Sequence, residues 1–188
     1  MSQFSVFNSH LDLAHQYWQK ILQRGDWAID ATCGNGKDSL KLAHLVTDSG
    51  GVISLDIQTE ALEKARLFTS QQKNIHFFLI SHHTFPSLAY TKPIRLIVYN
   101  LGYLPGGDKT LTTQAETTLE SLKTALSLLM AGGMISITCY PGHDEGAREE
   151  NILLSFINQL DPSIWNICHH RALNRLKSPS LLIFQKKI

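Results

Sequence analysis

The segment that decides the fold spans residues 27–39 and reads WAIDATCGNGKDS. The apolar run Trp27–Ala31 is typical of a buried strand, and helical periodicity begins at Lys37–Val46. Between them, Gly34 and Gly36 allow backbone conformations that other residues rarely adopt and let the chain pass close to a ligand. We therefore predict that a ligand binds at this glycine bend.

The alternation of strand and helix continues along the chain. Short, nearly continuous apolar runs predict parallel strands that are buried on both faces. The predicted strands are Trp27–Ala31, Val52–Asp56, Ile75–Ile80, Ile94–Asn100, Met134–Tyr140, Ile164–Arg171 and Ser180–Gln185, and the helices are Lys37–Val46, Thr59–Ser70, Gln114–Met130 and one around Glu145–Leu160. A short loop joins the last two strands, so they should pair antiparallel. This pattern resembles the Rossmann-like class I methyltransferase fold: an α/β protein with a seven-stranded, mostly parallel sheet, a C-terminal antiparallel hairpin and helices on both faces.

Length and composition predict one domain over residues 1–188, with an N-terminal helix in 1–25 and a Rossmann-like core in 26–188. The 43% hydrophobic and 18% charged residues are an ordinary globular balance. Three widely spaced cysteines fit a reducing compartment and offer no metal-type pair. We see neither a secretory signal pattern nor an apolar run of roughly 20 residues, so we predict a cytoplasmic protein with no membrane contact.

Acidic residues around the glycine bend distinguish two classes of cofactor. A dinucleotide-binding turn would have a third glycine where this chain has Ser39, whereas here Asp30 precedes the glycines and Asp38 follows them. Two carboxylates would repel a pyrophosphate and attract the ammonium and sulfonium groups of S-adenosylmethionine. We predict S-adenosylmethionine as the cofactor; the alternative is a glycine-rich turn with helix-capping aspartates.

Later strands supply further candidates for the cofactor site. Asp56 lies 20 residues after Gly36, where an acidic side chain can accept hydrogen bonds from ribose hydroxyls, and Ile57 can lie against the adenine. His82 can hydrogen-bond the adenine edge, although His82 or His83 could equally be a partly exposed loop residue. The predicted cofactor-binding residues are Asp30, Gly34, Asn35, Gly36, Asp38, Asp56, Ile57, His82 and Asn100.

Two loops after the fourth and fifth strands supply the predicted catalytic residues. Residues 100–109 read NLGYLPGGDK and residues 140–143 read YPGH. The first loop resembles the Asn-Pro-Pro-Tyr loop of amino-methylating enzymes, with Leu and Gly in place of the two prolines. We expect Asn100 to orient an amine, Tyr103 to stack on or hydrogen-bond a base, and Asp108 or His143 to relay the proton. Asp108 and His143 could instead only stabilise their loops.

The motifs DATCGNG at 30–36, NLGYLPGGDK and YPGH together resemble the family long described as putative rRNA methylases. Its members are understood as bacterial tRNA 5-(aminomethyl)uridine N-methyltransferases that act at wobble position 34. The similarity, which extends from His10 to the last strand, implies methylation of the exocyclic amine of 5-aminomethyl-(2-thio)uridine to the methylaminomethyl form. It also implies the tRNA anticodon stem-loop as partner. The chain has Asn174–Arg175 and Ser178–Pro179 where the family tends to have Asn-Gln and Pro-Pro.

The C-terminal part of the chain is locally basic. Net charge is only +1, yet residues 162–188 contain five lysines and arginines and no acidic residue. A basic surface of this kind can contact phosphates, although it could also be an ordinary solvated edge. The predicted substrate- and RNA-binding residues are His10, Lys109, Arg171, Arg175 and Lys177. Alternative functions are methylation of rRNA or of a small amine, or RNA binding without catalysis, and a homodimer is possible.

Overall fold

The computed structural model describes residues 9–103, 112–175 and 177–188, and places seven strands in one sheet. The strands are β1 (Trp27–Asp30), β2 (Gly51–Asp56), β3 (Ile75–Leu79), β4 (Ile94–Asn100), β5 (Leu129–Cys139), β6 (Trp165–His170) and β7 (Ser180–Lys186). Their order is β3-β2-β1-β4-β5-β7-β6. β1 to β5 pair in parallel, and β7 is antiparallel to both β5 and β6. The predicted class I methyltransferase sheet is confirmed.

Helices cover both faces of this sheet, as predicted. They are α1 (His10–Ile21), α2 (Lys37–Val46), α3 (Thr59–Phe68), α4 (Ala115–Leu128) and α5 (Asp144–Ile157), with a short 3₁₀ helix at Ser87–Thr91. Trp18 and Leu42 bring α1 and α2 into one apolar cluster with the strands. Leu122 and Leu153 bring α4 and α5 into a second cluster. Burial of these apolar side chains is the main stabilising contribution to the fold.

The boundary between α4 and β5 differs from the sequence prediction. The apolar periodicity predicted a helix to Met130 and a strand from Met134, whereas the helix ends at Leu128 and β5 begins at Leu129. The pairing of β5 with β4 already starts at Leu129, so Leu129 and Met130 belong to the strand. Consecutive apolar residues fit a helix end and a buried strand equally well, so periodicity alone could not separate them.

Helix α1 packs directly on the sheet. Its first turn carries a capping box in which the Ser9 hydroxyl accepts from the Asp12 N–H and the Asp12 carboxylate accepts from the Ser9 N–H. Ala14 and Trp18 are buried beside β4 and β5. No helix within the described ranges is long and apolar enough to cross a membrane.

Three side chains of α1 reach residues far away in the sequence. All three contacts lie at the edge of the sheet where the parallel strands end. They join His10 Nε2 to Tyr140 Oη at 3.2 Å, His15 Nε2 to Asp38 Oδ1 at 3.0 Å, and Tyr17 Oη to His170 Nε2 at 3.0 Å.

Candidate active site

The candidate site lies at the carboxyl edge of β1, β2, β4 and β5. From β1 the chain continues to β2 on one side, while β4 lies on the other side of β1. Such a topological switch point opens a crevice at the carboxyl ends of the strands, where open α/β sheets bind their ligands. The loops that follow these four strands contain most of the residues that the sequence singled out.

The glycine bend has the backbone that the sequence predicted. Gly34 and Gly36 have φ values of 51° and 81°, and a Cβ on Gly36 would lie 2.9 Å from the Cβ of Ala65. Gly36 therefore cannot be replaced without moving α3. Cys33 is buried here, and burial raises the pKa of its thiol, which agrees with a packed residue rather than a nucleophile.

Asp56 faces the bend from the end of β2. One carboxylate oxygen accepts the Gly34 N–H at 2.8 Å and the other accepts the Gln58 N–H at 2.9 Å. A carboxylate has about four acceptor positions, so it can still accept from ribose hydroxyls. Ile57 beside it is 55% exposed, which leaves an apolar surface open next to this acceptor.

Asp30 does not act as an exposed charge, in contrast to the sequence-based argument. It is fully buried and accepts hydrogen bonds from the Ser39 hydroxyl at 2.6 Å and the Thr32 N–H at 3.3 Å. Burial, together with the nearby charge of Asp38, raises the pKa of Asp30 to about 7. The side chain supports the bend from beneath, and the negative charge towards the crevice comes from Asp38 and Asp56.

Asn100 connects the end of β4 to the bend. Its backbone N–H donates to the Thr32 hydroxyl at 2.7 Å, and its Nδ2 donates to Asp38 Oδ2 at 2.7 Å. Its Oδ1 is buried and has no hydrogen-bond partner among the residues described. We call this atom the open oxygen of Asn100. A buried acceptor without a partner is costly and indicates a position that a ligand donor completes.

A buried carboxylate anchors the loop that follows Asn100. Thr113 accepts the Gly102 N–H at 2.8 Å and donates to Glu149, which is 1% exposed and also accepts from Thr118. Burial raises the pKa of Glu149. Tyr103 forms a β-bridge with Thr112. Asp108 and Lys109 lie outside the described residues.

His143 begins α5 and lies beside Tyr103, with ring centroids 5.9 Å apart. Its Nδ1 accepts the Gly146 N–H at 3.1 Å. A neutral imidazole that accepts through Nδ1 carries its hydrogen on Nε2, so His143 presents a donor rather than a base. The role of His143 as a proton relay stays a prediction. His143 Nε2 is buried and lacks a partner in the described part of the chain.

His10 and His82 occupy different environments. His10 lies edge-on to Tyr140 at the crevice, and burial lowers its pKa. His82 lies 3.3 Å from the Thr118 hydroxyl and edge-on to Tyr99, and burial lowers its pKa to about 4. His82 is 8% exposed, and the structure does not bring it together with the bend, so its contact with adenine stays a prediction.

Comparisons with known proteins agree with this geometry. The family model for putative rRNA methylases matches residues 52–186. The tRNA (mnm5s2U34)-methyltransferase of Arabidopsis thaliana chloroplasts is 36% identical, over 94% of this chain and 69% of that protein. A putative rRNA methylase from Clostridium thermocellum is 30% identical with a TM-score of 0.89, over 96% of this chain and 99% of that one. A putative methyltransferase from Streptococcus mutans, solved with S-adenosylhomocysteine (SAH), is 34% identical with a TM-score of 0.86 over the same shares.

This chain belongs to the putative rRNA methylase family. It is an enzyme, an S-adenosylmethionine-dependent methyltransferase.

The residues present in this rRNA methylase family member fit that cofactor. Asp38 and Asp56 suit a ligand with positive charge and hydroxyl groups, and the exposed Ile57 suits a flat apolar ring. Asn35 Oδ1 is buried and has no partner among the residues that the structure describes, so it can accept from an ammonium group. When bound, the cofactor supplies an electrophilic methyl group.

The basic residues of this methylase lie at the same edge. β6 runs parallel to β5, so the connection from β6 to β7 starts beside the loop that follows β5. Arg171, Arg175 and Lys177 are exposed on this connection. A Cβ on Gly142 would lie 3.5 Å from the Lys177 carbonyl, so the connection contacts the YPGH loop.

Sequence reasoning missed His15, Glu149 and Thr113. His15 follows Ala14 on the apolar stripe of α1 and contacts a residue 23 positions later. Glu149 and Thr113 contact across 36 positions. None of the three belongs to a motif, and only the folded sheet brings each of them to the crevice. For His15 the available signal was a polar residue at the border of an apolar helix face, which is common and unspecific.

Proposed function

We propose that this methyltransferase methylates the exocyclic amine of 5-aminomethyl-(2-thio)uridine at tRNA wobble position 34 and forms 5-methylaminomethyl-(2-thio)uridine. The observation that carries the proposal is the open oxygen of Asn100, which lies beside the cofactor bend and can accept an N–H from an amine. The Arabidopsis relative, whose name specifies that modified nucleoside, supports the choice of substrate.

In this proposal the cofactor lies on the glycine bend. Asp56 accepts hydrogen bonds from the ribose, Ile57 covers the adenine, and Gly34 and Gly36 allow the backbone to approach. Asn35 and Asp38 face the amino-acid part of the cofactor, where their oxygen atoms suit its positive charge. Asp30 holds the bend in shape through Ser39.

The substrate amine must be neutral to react. An alkyl amine has a pKa near 10.4, so most of it is protonated at neutral pH. A desolvated position near a cationic group lowers that pKa. The open oxygen of Asn100 accepts one N–H and so orients the nitrogen lone pair, which supplies the proximity and orientation that the reaction needs. Asp108 or His143 is the predicted proton relay.

In this proposal the uracil base lies between the loops that follow β4 and β5. Tyr103 is 40% exposed and can stack on the uracil. In the tautomer that accepts through Nδ1, His143 Nε2, which has no partner among the described residues, can donate to a uracil oxygen. His10 and Tyr140 border the same opening. The anticodon stem-loop as partner, the cytoplasmic location, the single domain and the homodimer stay predictions.

Nucleoside analysis tests the reaction directly. The purified protein is incubated with S-adenosylmethionine and with tRNA from a strain that lacks its gene, and the nucleosides are then identified by mass spectrometry. We expect the aminomethyl nucleoside to gain one methyl group and its precursor to disappear. An unchanged tRNA profile together with methylated rRNA, or with a methylated small amine, would reject the proposal and identify the alternative.

The basic residues on the connection from β6 to β7, here called the basic connection, should contribute affinity for RNA without sequence preference. Replacing Arg175 and Lys177 together by alanine should weaken tRNA binding about tenfold near physiological salt and reduce the salt slope by about two. Fluorescence anisotropy over a salt series measures both quantities. The matched control replaces Lys20 and Arg24, which are exposed near the start of β1 at the opposite edge. Equal effects in the two double variants would show that the basic connection is not the RNA surface.

A further inference from the structure

We infer that His15 is a positioning residue that fixes the Asn100 amide for the amine and that it acts through Asp38. His15 Nε2 lies 3.0 Å from Asp38 Oδ1, and Asn100 Nδ2 lies 2.7 Å from Asp38 Oδ2. One carboxylate therefore joins α1 to the end of β4. The role towards the amine rests on the proposed function, whereas the hydrogen-bond chain does not depend on it.

The direction of each hydrogen bond follows from the chemistry of Asp38. An ionised carboxylate only accepts hydrogen bonds, so both neighbours must donate to it. His15 then carries its hydrogen on Nε2, and Asn100 must turn its NH₂ group towards Asp38. The open oxygen of Asn100 faces away from the carboxylate as a result. An amide turned the other way would present NH₂ to the N–H groups of the substrate, and two donors do not bond.

His15 is needed because Asp38 is not fully buried. The Asp38 side chain is 18% exposed, so water can compete for its oxygens and the carboxylate can rotate. The bond from His15 fixes one oxygen and so aims the other at Asn100. The His15 ring packs on Trp18, with centroids 4.7 Å apart, and Trp18 is 1% exposed. In this way the rigid core of α1 determines the orientation of Asp38.

Two substitutions separate the hydrogen bond from the packing. His15→Phe keeps a ring against Trp18 and removes the donor, whereas His15→Gln keeps a donor close to the position of Nε2. His44→Phe is the matched control, because His44 is exposed on α2 and hydrogen-bonds Gln72 instead.

The first measurement is NMR of the Asn100 side-chain amide, assigned from the signals that Asn100→Ala removes. We expect His15→Phe to speed the exchange of these protons with water at least tenfold, and His15→Gln and His44→Phe to leave it close to the wild-type value. Unchanged exchange in His15→Phe would overturn the inference, and this result does not depend on the identity of the substrate.

The second measurement is methylation of tRNA that carries the aminomethyl nucleoside. We expect His15→Phe to lower kcat about tenfold, with the KM for tRNA and the Kd for S-adenosylhomocysteine within about twofold of wild type. His15→Gln should restore most of kcat. In an Asp38→Ala background His15→Phe should have no further effect. If His15→Phe lowered kcat by a further tenfold in the Asp38→Ala background, His15 would act independently of Asp38. If wild type methylates no such tRNA, the proposed function fails and amide exchange alone decides on His15.

Discussion

Replacing Asn100 by alanine is expected to lower kcat for tRNA methylation about 1000-fold while the Kd for S-adenosylmethionine changes less than about threefold. The substitution removes the open oxygen, the acceptor that orients the amine in our proposal. It leaves the Gly34–Asp56 hydrogen bond intact, so the bend keeps its shape. Single-turnover kinetics measure methyl transfer, and isothermal titration calorimetry measures cofactor binding.

The control for this variant is Asn151→Ala, which removes an exposed amide on α5. It should match wild type in both measurements. If Asn100→Ala lowered kcat and cofactor affinity by the same factor, Asn100 would support the fold of the crevice and would not act on the amine.

Replacing Asp56 by alanine is expected to raise the Kd for S-adenosylmethionine about 100-fold. A hydrogen bond to a charged group contributes about 1.5–3 kcal/mol, and a factor of 100 corresponds to about 2.7 kcal/mol. The variant loses the proposed acceptor for the ribose and also leaves the Gly34 N–H without its carboxylate partner. Calorimetry measures the affinity, and a thermal melt shows whether the variant is folded.

Two further variants define the origin of this effect. Asp56→Asn keeps an oxygen that can accept from Gly34, and should bind the cofactor about tenfold more weakly than wild type. Asp48→Ala removes an exposed carboxylate after α2 and should bind it normally. Wild-type affinity in folded Asp56→Ala would contradict the placement of the ribose at Asp56.

The architecture could be predicted because strands that are buried on both faces consist mostly of apolar residues. β1, β2 and β4 are largely buried and appear as nearly continuous apolar runs. Within residues 9–103, 112–175 and 177–188, the glycines of the bend identify the one turn with positive φ at two positions. The end of α4 was not predictable, because residues 128–130 are all apolar. The end of a helix and the start of a strand then differ only in whether the residues pair with a neighbouring strand.

Site residues could be predicted where they follow the end of a strand. They could not be predicted where their role depends on how deeply the side chain is buried. Asp56 and Asn100 lie at the crevice because they are the last residues of β2 and β4. Asp30 is likewise the last residue of a strand, yet its side chain points into the interior, where its pKa rises to about 7. In the sequence Asp30 and Asp38 carry the same formal charge. Only their different burial in the folded protein distinguishes them. His143 shows a similar limit, because its hydrogen-bond partner determines which ring nitrogen carries the hydrogen.

The contacts of α1 also have a consequence for how the protein is made on the ribosome. Two of its anchoring partners are 130 and 153 residues away, so α1 is synthesised well before them and must wait until they have emerged. During this interval the apolar surface of Trp18 lacks many of the sheet residues that bury it in the folded protein. Closing such long loops is entropically slow, so α1 is among the last of the described elements to acquire its native surroundings.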